Sequence, residues 1–442
     1  MTDSSGRTPG SQAAVGESID HLFRHQAGEM VAVLTRIFGL RHLDLVEDMV
    51  QEALLQALRL WPFRGMPDNP SAWIIQVAKN RALEVLRRRG RWREEGPRIE
   101  ALLTRLPDDG ESPPPAFARE VRDDQLRMIL ACCHPLLKRD DQVALTLKTV
   151  GGFSVGEIAR ALLTRRATIA QRLVRAKRRL RDAGVELAMP ESADLIARLE
   201  VVHEIVYLMF NEGWDAAEGE SLVRRDLLAE GLRLSALLAA HPLTSLPSTY
   251  ALAALLRFQA ARLSTRVDGA GDLLLMADQN RSCWDRSLIA EALDYLLRAA
   301  RGSELTPYHY QAEIAACHAT AETYDSTDWG RILSCYDGLM RSAPSPVVAL
   351  NRLVALAQAK TPQEALEQGT EVFSDAALAT YLPAWATRGD LAARCGLRDE
   401  AETAFRQALA LSPSPAVRRH LEKRIARLRA SAESTDSVSG SG

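Results

Sequence analysis

The stretch Ser154 to Arg181, SVGEIARALLTRRATIAQRLVRAKRRLR, decides the fold. Ser154 stands three residues before Glu157, the reciprocal pair that caps and opens a helix. Ile158, Ala161 and Leu162 give that short helix an apolar face. Thr164 interrupts the pattern and is placed to cap a second helix, whose apolar stripe is Ile169, Leu173, Ala176 and Leu180. Two helices joined by so short a turn predict a helix-turn-helix, with the second helix lying in the major groove of DNA. That second helix carries Arg165, Arg166, Arg172, Arg175, Lys177, Arg178, Arg179 and Arg181, and meets no acidic residue before Asp182. Fixed positive charge of that density suits a phosphate backbone. A solvated amphipathic helix is the plain alternative, and the rest of the chain weighs between the two.

At 442 residues the chain has room for about three domains with cores of their own. Ala and Leu dominate and aromatics make up only 5%, which favours helix over sheet and predicts an all-α fold. The formal net charge of −2 hides an asymmetry, because the basic clusters fall before Asp182 and the remainder is more acidic. No apolar run is long enough to span a bilayer, so no membrane partner is expected. The first residues, MTDSSGRTPGSQ, lack a signal peptide's basic and apolar regions, and a cytoplasmic location is the expectation. Cys132, Cys133, Cys283, Cys317, Cys335 and Cys395 form no CxxC pair and read as free, mostly buried thiols. Cys132-Cys133-His134 is no metal site, since neighbouring cysteines on a helix point in different directions. No cofactor is expected.

Residues 1–16 are polar and read as disordered. Ile19, Leu22, Phe23, Met30, Val31, Leu34, Ile37 and Phe38 then follow at helical spacing until Gly39. A second helix is predicted over Leu43 to Trp61, with Leu45, Met49, Ala53, Leu54, Ala57 and Leu58 facing the core. Its other face collects Asp44, Glu47, Asp48, Gln51 and Glu52. That patch is either a solvated face that favours the helix dipole or a docking surface for a basic partner. WPFRGMPDNPSAW, Trp61 to Trp73, holds three prolines and a glycine and reads as a stiff loop. Asn69-Pro70 then starts a third helix, a cap followed by proline at the first helical position, running from Ser71 to about Arg89. Ile74, Val77, Ala78, Val85 and Leu86 face the core of this helix. Trp73 is either a core residue or a platform for unstacked bases, with Gln76, Lys79, Asn80, Arg87 and Arg88 available for contacts.

VEDMVQEALLQALRLW followed by NPSAWIIQVAKNRALEVLRRR resembles the promoter-melting domain of bacterial extracytoplasmic-function sigma factors. Asp141 to Arg181 is similar to their second, helix-turn-helix domain. The resemblance covers about the first two-fifths of the chain. It implies domains over 17–95 (region 2-like) and 122–188 (region 4-like), joined by a linker over 96–121.

By this resemblance Asp44, Glu47, Asp48, Gln51 and Glu52 would dock on the β′ coiled coil of core RNA polymerase, with the β flap as a second contact. Arg64, Asn69, Trp73, Gln76, Lys79, Asn80, Arg81, Arg87 and Arg88 would hold the −10 element. The loop Pro62 to Ser71 would capture a base flipped from it, at a stacking cost of a few kcal/mol that a pocket must return. Arg165, Arg166, Thr168, Ala170, Gln171, Arg172, Arg175 and Arg178 would meet the −35 element, where Arg and Gln make bidentate base contacts. The chain departs from the family at Glu84, where aspartate is usual, at Ala170, where many relatives carry lysine, and in a loop unusually rich in proline. The linker sequence PDDGESPPPAF, with Asp108, Asp109 and Glu111, would thread toward the polymerase channels by resemblance. From its composition alone it is equally a passive tether.

Past Pro190 the sequence becomes Ala/Leu helices separated by short Pro, Gly and Asp punctuation, an extension over 189–430 with a disordered tail at 431–442. Trp385, Gly389, Ala401, Phe405, Ala408 and Pro413 match the spacing of a tetratricopeptide repeat, although Arg388 and Ala392 replace its Leu and Tyr. YDGLMRSAPSPVVAL and FRQALALSPSPAVRR repeat the phrase, with Pro344 and Pro413 about two repeat lengths apart. Such repeats need small residues where paired helices cross, with a bulky aromatic filling the gap. Degenerate repeats are expected over Asp328 to about Leu428, and further helical pairs over Glu191 to Ala300. The arrangement, with LMFNEGW (Leu208 to Trp214) and DQNRSCWDRSLIAEAL (Asp278 to Leu293), resembles the sigma-factor subgroup that carries a tetratricopeptide-like extension. A protein or peptide partner for the repeats follows from their concave surface.

His203-Glu204-Ile205-Val206-Tyr207 begins like HExxH, but Tyr207 replaces the second metal ligand and the site fails. The reading is therefore an alternative sigma factor, not an enzyme, that brings core polymerase to promoter DNA and helps melt it. A repeat scaffold with decayed DNA-binding domains is one rival, against which the dense basic helices argue, and a helix-turn-helix regulator that never joins polymerase is the other. The acidic second helix and the Trp73–Arg89 helix argue against that rival.

Overall fold

The computed structural model describes residues 27–88, 92–103, 115–162, 164–215, 222–266, 268, 274–412 and 415–439. It is all-helical among these residues, and it divides into two compact units, Met1–Glu212 and Gly213–Gly442.

The first unit is organised around α1 (Ala27–Phe38). Every residue from Met30 to Thr35 is buried, which no single apolar stripe produces. A helix buried on all sides must be covered on all sides. Helices α2 (Leu43–Arg64), α3 (Pro70–Arg88) and α4 (Trp92–Leu103) pack against it, as do α5 (Pro115–Cys132) and α6 (Arg139–Thr149). Gly39 ends α1 with φ +88°, a value glycine adopts at little cost. The part of the first predicted helix before Ala27 lies outside the described residues.

Two sequence expectations change here. Helix α2 does not stop at Trp61; it continues through Pro62 to Arg64, and Gly65 (φ +85°) closes it. Proline so near the end removes a single helical bond, that to the Leu58 carbonyl, and Leu58 is exposed, so water can satisfy the freed oxygen. Leu58 itself therefore lies on the outer face rather than in the core. The 96–121 stretch, read as a linker, carries α4 at its start and α5 at its end. Ile99 of α4 is buried, and α4 packs on α1. Asp108, Asp109 and Glu111 lie outside the described residues.

The helix-turn-helix consists of α6, α7 (Val155–Ala161) and α8 (Arg166–Asp182). Ser154 Oγ accepts the Glu157 N–H at 3.2 Å, and Glu157 returns a bond to the Ser154 N–H at 2.7 Å. Ile169, Leu173, Ala176 and Leu180 are the buried stripe of α8. Thr164 does not cap α8: its N–H donates to the Ala159 carbonyl within the turn. Arg165 takes the N-cap position without a side-chain hydrogen bond. Helix α9 (Ser192–Asp215) follows, and its residues up to Glu212 belong to this first unit. Arg198 donates to the Leu130 carbonyl of α5 at 3.4 Å, and Glu204 pairs with Arg139 of α6 at 2.5 Å. The HExxH-like His203 is buried among these helices, and burial pushes its pKa down to about 4.

In the second unit α10 (Leu222–Ala240), α12 (Arg286–Ala299) and α13 (Pro307–Thr320) surround α11 (Pro247–Ala261). Arg257 is buried in α11 and is fully engaged: it pairs with Glu291 at 2.9 Å, donates to Ser235 Oγ, and lies 4.6 Å from the Tyr295 ring centre. Trp214, the last residue of the LMFNEGW stretch, and the DQNRSCWDRSLIAEAL stretch contribute to a cluster in this unit. Arg262 and Arg266 lie over the Trp214 ring, and Trp284 Nε1 donates to Thr265 Oγ1 at 2.9 Å.

The chain then continues as helices packed in succession: α14 (Trp329–Ser342) on α15 (Pro346–Ala359), α15 on α16 (Pro362–Ser374), α17 (Leu382–Arg394) on α18 (Arg398–Leu411), and α18 on α19 (Pro415–Ser439). Gly389 sits so close to Phe405 that a Cβ there would lie 2.7 Å from the ring, and Gly338 meets Tyr310 in the same way at 2.3 Å. Small residue against aromatic is the packing expected of tetratricopeptide-like pairs. Pro413 lies outside the described residues.

Candidate nucleic-acid interface

Helix α8 sorts its charges by phase. The residues that its apolar stripe leaves outward are Arg165, Arg166, Ala170, Gln171, Arg175 and Arg178, all exposed. Arg178 makes one local pair with Asp182 at 3.3 Å. Val174 stands among them at 67% exposure, an apolar residue that the sequence reading passed over. Its signal was present in the pattern, because position 174 lies one step off the buried stripe. On such a face an apolar side chain suits a thymine methyl.

Two assigned residues are turned away from this face. Thr168 is half-buried. Arg172 is only 22% exposed and places its guanidinium 2.8 Å from Asp140 of α6. Lys177 points further inward and reaches a different part of the unit. Its Nζ lies 2.7 Å from both Asp44 Oδ1 and Glu47 Oε2 of α2. Burial opposes its ammonium, yet the two carboxylates outweigh that effect and hold its pKa above the ordinary lysine value.

The five polar residues of α2 do not form one uniform patch. Asp48, Gln51 and Glu52 are exposed; Asp44 is exposed and bonded to Lys177; Glu47 is buried. Glu52 pairs with Arg81 of α3, and Arg81 also donates to Gln56 at 2.8 Å. The exposed side of α2 further carries Leu55, Leu58 and Phe63, followed by Met66 beyond its end. An apolar strip beside an acidic one is more than a solvated face requires.

On α3, Asn69 Oδ1 accepts the Ala72 N–H at 3.1 Å, the cap expected from Asn69-Pro70. Trp73 is half-buried, with its ring edge-on to buried Trp61 at 5.4 Å, so one side packs while the rest stays accessible. Arg64, Asn80, Arg87 and Arg88 are exposed, and Gln76, Lys79 and Arg81 are half-buried. Arg88 pairs with Glu84 at 2.5 Å within the helix.

The Cys132 and Cys133 thiols are buried. Cys132 lies 3.0 Å from Thr149 Oγ1, and burial pushes its pKa up to about 12. These are packing thiols without thiolate character. Among the described residues no three His, Cys, Asp or Glu side chains converge on a metal position, and no helix is long and apolar enough to cross a membrane.

Comparison with known proteins matches the same two segments. Residues 22–92 fit the Sigma-70 region 2 family and residues 127–180 the Sigma-70 region 4 family. The chain is 28% identical over 173 residues to the ECF RNA polymerase sigma factor SigE of Mycolicibacterium smegmatis (strain ATCC 700084 / mc(2)155), covering 39% of this chain and 63% of that one. It is 40% identical over 385 residues to uncharacterized protein R00370 of Rhizobium meliloti (strain 1021), covering 87% and 89%. The chain belongs to the extracytoplasmic-function sigma factors with a C-terminal extension. Residues 198–300 of this sigma factor match a family of unknown function, DUF6596, which begins inside the first unit, on α9. No solved structure matches the chain. As a sigma factor it works with RNA polymerase and promoter DNA, in a family that is not enzymatic.

Proposed function

We propose that this sigma factor reads the −35 element with the outward face of α8 and the −10 element with α3 and the loop before it. On this reading it docks on the polymerase β′ coiled coil through Asp48, Gln51 and Glu52 of α2, with the β flap as a second contact. The observation that carries the reading is the outward face of α8, where Arg165, Arg166, Gln171 and Arg175 stand exposed around Ala170 and Val174. Gln and Arg at adjacent outward positions supply base-edge donors, and the flanking arginines supply phosphate contacts. On α3, exposed Asn80 with Lys79, Arg87 and the accessible part of Trp73 supply what a melted strand needs, cations and a stacking edge. The extension serves regulation or protein binding through its helix pairs.

The test is transcription in vitro with core polymerase and the chain's own upstream region as template. The full chain is expected to start transcripts, and Gln171→Ala with Arg175→Ala to abolish them while core binding persists. A chain that binds this DNA equally well without core, and never starts transcripts, is a plain regulator instead. A shortened form for the same assay should end after Glu212 rather than near Ala188. The earlier cut removes α9, whose Arg198 and Glu204 hold α5 and α6.

A further inference from the structure

We propose that the second unit carries a binding site for a small aromatic carboxylic acid, in the cavity between the start of α11 and the end of α12; the site does not depend on the sigma reading. The cavity measures about 520 Å³, within the roughly 300–1,000 Å³ typical of small-molecule sites. Ser245, Pro247 and Tyr250 line it from α11 and the residues before it. Asp294, Leu297, Arg298 and Arg301 line it from α12 and the residues after it. All of them belong to one compact unit.

Packing fixes the walls. Tyr250 stacks on Tyr295 with ring centres 6.1 Å apart and planes 26° from parallel. The Arg298 guanidinium lies 5.7 Å from the Tyr250 ring centre and 5.9 Å from that of Tyr295, and buried Arg257 covers Tyr295 at 4.6 Å. Cations set against aromatic faces hold the rings in place. Beyond α12, Gly302 packs so tightly on Pro247 that a Cβ would lie 2.7 Å from the proline ring. That contact brings Arg301 back to the start of α11.

The charges select the sign of the ligand. Two arginines against one aspartate leave the lining with one positive charge. Arg298 is engaged by Asp294 at 2.8 Å, whereas Arg301 is exposed and makes no ion pair among the described residues. One free guanidinium matches a monoanion, and its forked donors match the two oxygens of a carboxylate. A phosphate dianion would call on the second arginine and meet Asp294 at like charge. The walls select the body of the ligand. Leu297 is 71% exposed. A lone exposed leucine is ordinary, but this one shares a cavity with a proline, a tyrosine ring and a free cation. A flat apolar ring laid there covers the leucine and packs against Tyr250, while its carboxylate reaches Arg301.

The test is calorimetric titration of the full chain with benzoate, phenylacetate and cinnamate, with the three corresponding amides and acetate as controls. At least one of the acids is expected to bind saturably, one per chain, with its amide and acetate at least about tenfold weaker. Arg301→Met keeps an apolar stem at an exposed position and should weaken the acid about 10- to 100-fold, the worth of a charge-assisted contact. Leu297→Glu, also at an exposed position, should abolish binding by placing a like charge in the cavity. Circular dichroism checks that both variants are folded, and either one carries the test if the other is not. No saturable binding of any of the three acids overturns the proposal. Equal binding of acid and amide overturns the carboxylate, and equal binding of acetate overturns the aromatic body. Binding that survives the substitutions belongs elsewhere on the chain and overturns the site. A peptide ending in phenylalanine that binds more tightly than every free acid, and loses this on amidation, overturns the small acid in favour of a chain terminus.

Discussion

Arg172 and Asp140 face each other at 2.8 Å across the α6–α8 contact, so an arginine assigned to the −35 element is spent inside the helix-turn-helix. Its outward neighbours Gln171 and Arg175 have no such tie. Replacing Gln171 or Arg175 with alanine is expected to lower −35-dependent transcription about 5- to 150-fold, the equivalent of one base contact at about 1–3 kcal/mol. Arg172→Ala should instead lower thermal stability by at most about 1 kcal/mol, because Asp140 is largely exposed and the pair is screened. Promoter-binding titrations beside thermal melts separate the two outcomes, and equal loss of binding in all three variants refutes the assignment.

Exposed Asp48 is the acidic residue of α2 on which the proposed docking most depends. Asp48→Arg is expected to weaken core polymerase binding at least about tenfold, since like charges brought together cost several kcal/mol. Glu52→Arg should act on two things, because Glu52 also holds Arg81. Glu52→Gln should therefore change melting of the −10 region more than core affinity. Core binding unmoved by Asp48→Arg would place the polymerase contact elsewhere.

Acid should destabilise the second unit through His318. Burial, followed by Arg262 and Arg281, pushes its pKa down to about 4 from the usual 6.5. Its Nδ1 has no hydrogen-bond partner, and its ring meets Trp329 edge-on at 5.2 Å. The folded state holds the neutral imidazole while the unfolded chain takes up a proton below pH 6.5. The stability this group contributes is thus complete above pH 6.5 and lost as pH falls toward 4, by up to about 3 kcal/mol. His318→Asn cannot titrate and should flatten that slope in denaturant titrations of the full chain. A slope that survives the substitution assigns the acid sensitivity to other groups.

Gly389→Ala tests the repeat packing. The new methyl would lie 2.7 Å from the Phe405 ring, an overpacking that costs about 1–3 kcal/mol. Better helix propensity offsets up to about 1 kcal/mol of this. Phe405→Leu in the same chain should recover part of the loss, a coupling read from a double-mutant cycle. Strict additivity would mean that the two residues do not share the space between α17 and α18.

The sequence by itself determined what depends on neighbours within one or two helical turns. Ser154 and Glu157 form the capping box their spacing announces, Asn69 caps the helix that Pro70 begins, and Ile169, Leu173, Ala176 and Leu180 form the buried stripe. Each depends on atoms a few residues apart, so the pattern carries the whole cause. Tertiary structure decided the partners of the charges. Lys177 reaches carboxylates 130 and 133 residues away, Arg81 reaches Glu52 29 residues away, and Arg172 turns inward to Asp140. A helical charge run has the same periodicity whether its members meet water, a phosphate or a distant carboxylate. Gly28 against Val150 and the all-round burial of α1 were hidden for the same reason. Periodicity reports that a helix has a face to bury, and only the folded chain supplies what covers it.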